Sequence, residues 1–152
     1  MTFDPGPVGH ASIGSATAIF DGNGRVLLVR HTYGRFNWEI PGGVAQPLEA
    51  PSRTAQRELE EETGLALPEG ALSGVYYESS TERFDPMIHF VFSFTGLEGL
   101  LPQANPPEIG DVGWFQLDSL PAPMSDFTET RIRDALNPDV AYRVIEGRTW
   151  RT

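Results

Sequence analysis

No cysteine occurs among the 152 residues of the chain, which excludes disulfides, zinc–thiolate sites and thiol nucleophiles. Positive charge is scarce as well: eleven basic side chains face twenty-one acidic ones, a net charge of −10. Duplex nucleic acid and anionic membranes both demand a positive face, so neither is expected as the main partner. A small phosphorylated ligand stays compatible, provided cations screen the encounter. No stretch reaches membrane-spanning length. The opening "MTFDPGPVGH" lacks the basic segment and apolar run of a secretory signal, so a cytoplasmic protein is expected. Repeats at solenoid periods are absent too. With 39% hydrophobic and 21% charged residues the composition is that of a folded globule. The length suits one domain over residues 1–152.

What is present alternates strands and turns. Residues 1–10, broken by prolines and glycines, read as a loose arm. "SIGSATAIF" and "RVLLVRH" are strand-like runs joined by "DGNG", Asp21 to Gly24, a hairpin-turn signal. A loop carrying Trp38 closes on Pro41-Gly42-Gly43. Pro51 to Thr63 reads as a helix: proline suits its first turn, the interior lacks glycine, and Gly64 is placed to end it in the left-handed conformation. "LSGVYYES" and "MIHFVFSF" follow as strands, the second with Phe90, Phe92 and Phe94 at the two-residue period of a sheet. After the Pro-rich loop "PQANPPEIG" comes a short strand, "DVGWFQL". "SDFTETRIRDAL" reads as a second helix, with Asp126 and Glu129 at capping-box spacing and an apolar stripe of Ile132, Ala135 and Leu136. The tail "AYRVIEGRTW" fits either a last strand or a surface segment. Hairpins outnumber crossovers, so the order predicts an α/β sandwich with a mixed sheet rather than a doubly wound parallel fold.

Within the first helix, "RELEEETG" crowds four glutamates into eight residues. Like charges at this spacing oppose a helix by roughly a few tenths of a kcal/mol per pair. At 100° per residue, Glu58, Glu61 and Glu62 share an arc of about 100°, while Glu60 points away. Such a patch suits Mg²⁺ or Mn²⁺, hard cations that take carboxylates and keep several waters. On the helix alone, a solvated acidic face explains the pattern equally well.

The flanking residues extend the pattern. Gly43, Glu49, Arg57, Glu58, Leu59, Glu61, Glu62, Gly64 and Leu65 fit G-x5-E-x7-R-E-U-x-E-E-x-G-U, where U is bulky and apolar. This is the Nudix box, and with the preceding "WEIPGG" the chain resembles a Nudix hydrolase. The resemblance implies an α/β/α sandwich in which the box forms a loop–helix–loop. It also implies divalent-metal-dependent cleavage of a diphosphate bridge in a nucleoside diphosphate linked to another moiety, a sugar as in ADP-ribose or a phosphate as in a (d)NTP. Carried over, Glu58, Glu61 and Glu62 bind the metal, with a carbonyl from the Gly43 region. Glu58 also serves as a candidate base, and Arg57 orients a glutamate through a salt bridge. Glu49 supports the site, or simply favours the helix N-terminus through the dipole.

Outside the box, the resemblance asks for one more acid from a loop across the cleft, as ligand or base. Glu108 occupies such a place; Glu78, Glu82 and Asp85 are its rivals. Arg30, His31, Arg35 and Arg83 are candidates to reach phosphates, each with surface solubility as the plain alternative. Trp38 and Phe36 are candidates to stack on a base, and Trp38 has packing beneath the loop as its alternative. Glu39 resembles an acid seen in some nucleoside-diphosphate-sugar hydrolases. His89 in a strand reads as a satisfied sheet residue, and Tyr76 and Tyr77 as packing or bordering the cleft. Leu48 stands where many relatives have glycine, and Ala50 where a capping serine is common. Many relatives pair as homodimers. A catalytically silent, nucleotide-sensing member of the fold is the alternative to an enzyme, disfavoured by the complete set of box acids.

Overall fold

The computed structural model describes residues 1–79, 81 and 86–152. Residues 1–10 carry no helix or strand and are exposed. The central strand β1 (Ser12–Asp21) turns through Asp21–Gly24 into β2 (Val26–His31). The Asp21 carboxylate fixes this turn by accepting from the amides of Asn23 and Arg25 at 3.0 and 2.9 Å. Two short strands, β3 (Trp38–Glu39) and β4 (Gly42–Val44), lead to α1 (Pro51–Thr63). A β5–β6 hairpin follows (Ala71–Glu78, Met87–Leu97), then β7 (Ile109–Phe115), β8 (Met124–Ser125), α2 (Asp126–Asp134), β9 (Ala141–Ile145) and β10 (Trp150–Arg151).

The sheet runs β3-β2-β1-β6-β5-β9, with β4 added to β1 and β7 to β2. It is mixed: β1 lies parallel to β6 and β5 parallel to β9, while the other pairs are antiparallel. The tail therefore forms an edge strand and a short ribbon, β10 on β8. A helix covers each face. Leu59 of α1 and the following Leu65 pack with Ile19 and Leu27, whereas Phe127 and Ile132 of α2 pack with Ala18, Tyr76 and Val91. This is the α/β/α sandwich the sequence predicted.

The split of β1 makes room for a site. Only Phe20 pairs with β2, at Val26, whereas Gly14, Ser15 and Ala16 pair with Val44, Gly43 and Gly42 of β4. The box loop is thereby held against the middle of the sheet, and α1 packs behind it.

Two local expectations change. Ser125, not Asp126, caps α2: its hydroxyl accepts from the Thr128 amide at 3.1 Å. Asp126 is the first helical residue, and Glu129 reaches Arg151 at 2.8 Å instead of closing a box. In the predicted stripe, Ile132 and Ala135 are buried but Leu136 is exposed, because the helix ends at Asp134.

Candidate active site

Arg57 organises the acidic helix. Its Nε and Nη2 donate to the two oxygens of Glu49 at 2.8 and 3.0 Å, while Nη1 donates to Glu58 at 2.8 Å and Glu61 at 3.1 Å. Nη2 also meets the Val44 carbonyl at 3.2 Å, which ties α1 to β4. Hydrogen bonds from Arg57 and Thr54 hold the Glu49 carboxyl down at about 2. One guanidinium thus offsets three carboxylates, two of them, Glu58 and Glu61, among those that crowd the helix.

Glu62 is buried at 4% exposure and accepts from the Gly42 amide at 2.7 Å. Burial drives its pKa up to about 8, opposed by that hydrogen bond and reinforced by Glu58, Glu39 and Glu108. Burial also raises Glu58; Arg57 pulls the other way, and the Glu61 and Glu108 charges add to the rise. Gly43 stands against Glu58 so closely that a Cβ there would lie 2.6 and 2.8 Å from its oxygens. A side chain at that point would push the Glu58 carboxylate from where it lies.

The loop after β6 closes over the end of α1. Asn105 donates through its side chain to the Glu61 carbonyl at 2.6 Å and through its amide to the Glu62 carbonyl at 3.2 Å. The Thr32 amide donates to the Glu108 carbonyl at 2.9 Å. These ties bring Glu108, exposed at its own position, close enough to raise both Glu58 and Glu62. Nothing local in the sequence marks Asn105 or Thr32 for this task.

A cleft of about 610 Å³ opens beside Gly42 and Gly43. That volume suits a small-molecule ligand. Arg35 lines it, lying over the Trp150 ring at 4.5 Å. His31 lines it too, stacked on Tyr33 at 4.8 Å, and its burial lowers its pKa. Arg30, one residue along β2, points elsewhere and donates to the Phe36 carbonyl at 3.1 Å. Trp38 is buried and edge-on to Phe115 at 4.9 Å, so its ring belongs to the core rather than to a stacked base. Phe36 is half exposed with φ 53. Glu39 lines the cleft, but its carboxylate is engaged by Thr128 at 2.8 Å and Arg131 at 2.9 Å. Glu78 is likewise committed, to His89 and Arg148, away from the box acids. Glu82, Asp85 and Arg83 lie outside the described residues.

As the side chains stand, no three His, Asp or Glu groups among the described residues converge tightly enough to hold a cation. The reason is visible: Arg57 draws Glu61 and Glu58 to itself, and Gly42 holds Glu62. The donor set nevertheless fits a hard cation. It presents clustered oxygens from one helix face, two of its carboxyls carry raised pKa values, and a glycine lets the Glu58 carboxylate lie against the box loop.

A NUDIX domain family model matches residues 11–135, from β1 through α2 and including the box. The chain belongs to the NUDIX domain family. As a Nudix hydrolase it is similar to a MutT-like protein of Streptomyces ambofaciens, 30% identical over 126 residues, which cover 83% of this chain and 77% of the relative. A 54-residue segment is 48% identical to an ADP-ribose pyrophosphatase of Mycobacterium tuberculosis (strain ATCC 25618 / H37Rv), covering 33% of this chain and 26% of that protein. Among solved structures, the MutT NUDIX hydrolase from Burkholderia pseudomallei superposes with a TM-score of 0.72 at 28% identity, covering 85% of this chain and all of the other.

No helix among the described residues is long and apolar enough to cross a membrane.

Proposed function

We propose that this Nudix hydrolase is a Mg²⁺- or Mn²⁺-dependent pyrophosphohydrolase acting on a nucleoside diphosphate linked to another moiety, with a nucleoside-diphosphate sugar such as ADP-ribose as the favoured class. The observation that carries the reading is the placement of Gly43: it lines the cleft, and its missing side chain lets the Glu58 carboxylate lie directly against the box loop. Glu58, Glu61 and Glu62 would hold the cation, with the Gly43 carbonyl and Glu108 as further oxygens. When bound, the cation screens the charge on the phosphate oxygens and lowers the pKa of attacking water.

The residues of the chain do the rest. Arg57 keeps Glu58 and Glu61 oriented through the two bonds from Nη1. Glu58, which lies against Gly43, and Glu108, whose charge acts on Glu58, are the candidate proton acceptors. Arg35 and His31 border the entrance, where a cation and a ring favour phosphate and sugar oxygens. The sugar-linked class is preferred over a triphosphate for two reasons. The far wall of the cleft carries paired rather than free charges (Glu39 with Arg131, Glu78 with Arg148), and the 54-residue match is to an ADP-ribose pyrophosphatase.

The test is a panel of pure nucleoside-diphosphate sugars and (d)NTPs with Mg²⁺, Mn²⁺ or EDTA, scored for which bridge is cut. Turnover of the sugar-linked compounds with either metal, abolished by EDTA, is the expected result. Binding of ADP-ribose without turnover would turn the reading toward a sensor.

A further inference from the structure

The end of the cleft opposite the acidic helix is built around His89, and nothing in the box chemistry accounts for it. His89 sits on β6 in register with Gly14 of β1, which is in register with Val44 of β4. One row across the sheet therefore leads from the box loop to His89, two strand spacings or about 10 Å away. Both Gly14 and His89 line the cleft.

The surroundings of the ring fix what it presents. His89 Nε2 lies 2.8 Å from a Glu78 oxygen. Arg148 holds the same carboxylate with two bonds of 2.8 Å. A carboxylate paired in this way is acceptor-only, so Nε2 must carry the proton. Although burial pushes Glu78 upward, His89 and Arg148 bring it down to about 2. The charged form of the imidazole is disfavoured. Burial lowers its pKa first, and the Arg131 and Arg148 charges add to that against the pull of Glu78. Arg131 and Arg148 both lie over the Phe127 ring, at 4.1 and 4.8 Å, and His89 meets the same ring edge-on at 5.0 Å. Arg131 Nε is buried without a hydrogen-bond partner among the described residues, so its charge is only partly compensated by Glu39.

With Nε2 protonated, Nδ1 is an acceptor, and no described residue donates to it. It faces Gly14: a Cβ at that position would lie 3.0 Å from Nδ1 and 3.1 Å from Met87 Sδ. The missing side chain leaves a small opening in front of the acceptor. A group that projects from a ring can enter it, whereas an N–H flush with a ring edge stops short. The charges of the wall are paired, which suits an uncharged polar ring rather than a second phosphate.

We propose that His89 Nδ1, reached through the opening left by Gly14, accepts a hydrogen bond from an exocyclic amino group on the nucleobase of the substrate, so that the enzyme selects amino-bearing bases over their oxo counterparts. The proposal rests on the pyrophosphohydrolase reading above. His89 touches the base; Glu78 and Arg148 are positioning residues that set its tautomer.

Paired compounds test it: ADP-ribose against its hypoxanthine analogue, and a CDP-linked sugar against the UDP-linked one. Wild-type protein is expected to favour the amino member by about tenfold or more in kcat/KM, the effect of one desolvated hydrogen bond. In His89→Phe the ratio should fall to within about twofold of unity, through loss on the amino member. Gly14→Ala keeps His89, Glu78 and Arg148 and only fills the opening, so it decides the matter should His89→Phe not fold; the same collapse is expected. Equal rates in the wild type, an oxo preference, or a ratio that survives these variants would overturn the proposal. If no compound is hydrolysed with either metal, the enzymatic reading fails on its own. Calorimetric affinities for the same pairs then decide: a tenfold amino preference supports the proposal, and equal or absent binding overturns it.

Discussion

A methyl group at Gly43 would stand 2.6 Å from the Glu58 Oε1 atom, which itself accepts from Arg57 at 2.8 Å. These two residues come from different elements, and β4 can approach α1 so closely only because one of them has no side chain. Gly43→Ala should therefore turn Glu58 out of its bond with Arg57. Since misplacing a reactive group by about 1 Å costs on the order of 10² in rate, kcat/KM should fall by about that factor. The cost to stability should be small, because the atoms displaced are the far end of a flexible side chain. Steady-state kinetics beside a thermal melt checks it, and an unchanged rate would detach Glu58 from the chemistry.

The raised pKa of Glu62 makes a prediction about pH. Its folded value of about 8 lies above the ordinary 4.5, so folding favours the protonated form. The resulting stability is complete below about pH 4.5 and is lost as pH rises through 8. Glu58 is shifted in the same direction. Glu49 and Glu78, both held near 2, act in the opposite sense, but their contribution changes only below pH 4.5. Buried His31 and His89, both lowered from 6.5, act in the opposite sense below about pH 7, so metal-free protein should melt at progressively lower temperature between pH 7 and 9. Glu62→Gln should flatten that slope, and Mg²⁺ should restore the wild type most at the alkaline end. Melting curves in EDTA and in Mg²⁺ across that range are the measurement; a slope unaffected by Glu62→Gln would contradict the assignment.

What could be read in the sequence was local. The box glutamates declare themselves because 58, 61 and 62 fall on one face of one helix, and the Asp21–Gly24 turn carries its own side-chain bonds. The parts that stayed hidden are joined by tertiary contacts. Glu78 meets Arg148 across 70 residues, and Glu39 meets Arg131 across 92. Asn105 secures the end of α1 from a loop 44 residues downstream of Glu61. Trp38 gave a mixed signal, because a ring beside a loop looks the same in sequence whether it packs inward or stacks on a ligand. Its burial against Phe115 separates the two.

Leu48 shows a departure with a structural cost. Its φ is 64, the left-handed region that glycine enters freely, and the side chain is fully exposed. That conformation costs a residue bearing a Cβ about 1–2 kcal/mol, while glycine adds roughly 0.5–1 kcal/mol of unfolded-state freedom. Leu48→Gly should therefore stabilise the protein by about 0.5–1 kcal/mol, with no packing lost. Gly64→Ala, at φ 76 in the helix cap, should destabilise it. Paired chemical denaturation curves give both signs, and a loss of stability in Leu48→Gly would show that the loop holds its leucine for another reason.

Glu108 separates a charge at the site from a charge on the surface. Its side chain is exposed, its backbone carbonyl is held by the Thr32 amide, and its charge raises both Glu58 and Glu62. Removing that charge should leave the fold untouched, because no described hydrogen bond or salt bridge involves the carboxylate. It should even relieve repulsion in the metal-free state. A group that accepts a proton or holds a cation contributes about 10² or more to the rate, so Glu108→Gln should lower kcat by at least that factor while the melting temperature in EDTA stays level or rises. An ordinary surface glutamate would show neither effect. A drop in melting temperature without loss of rate would move the search for the fourth acid to the other loop.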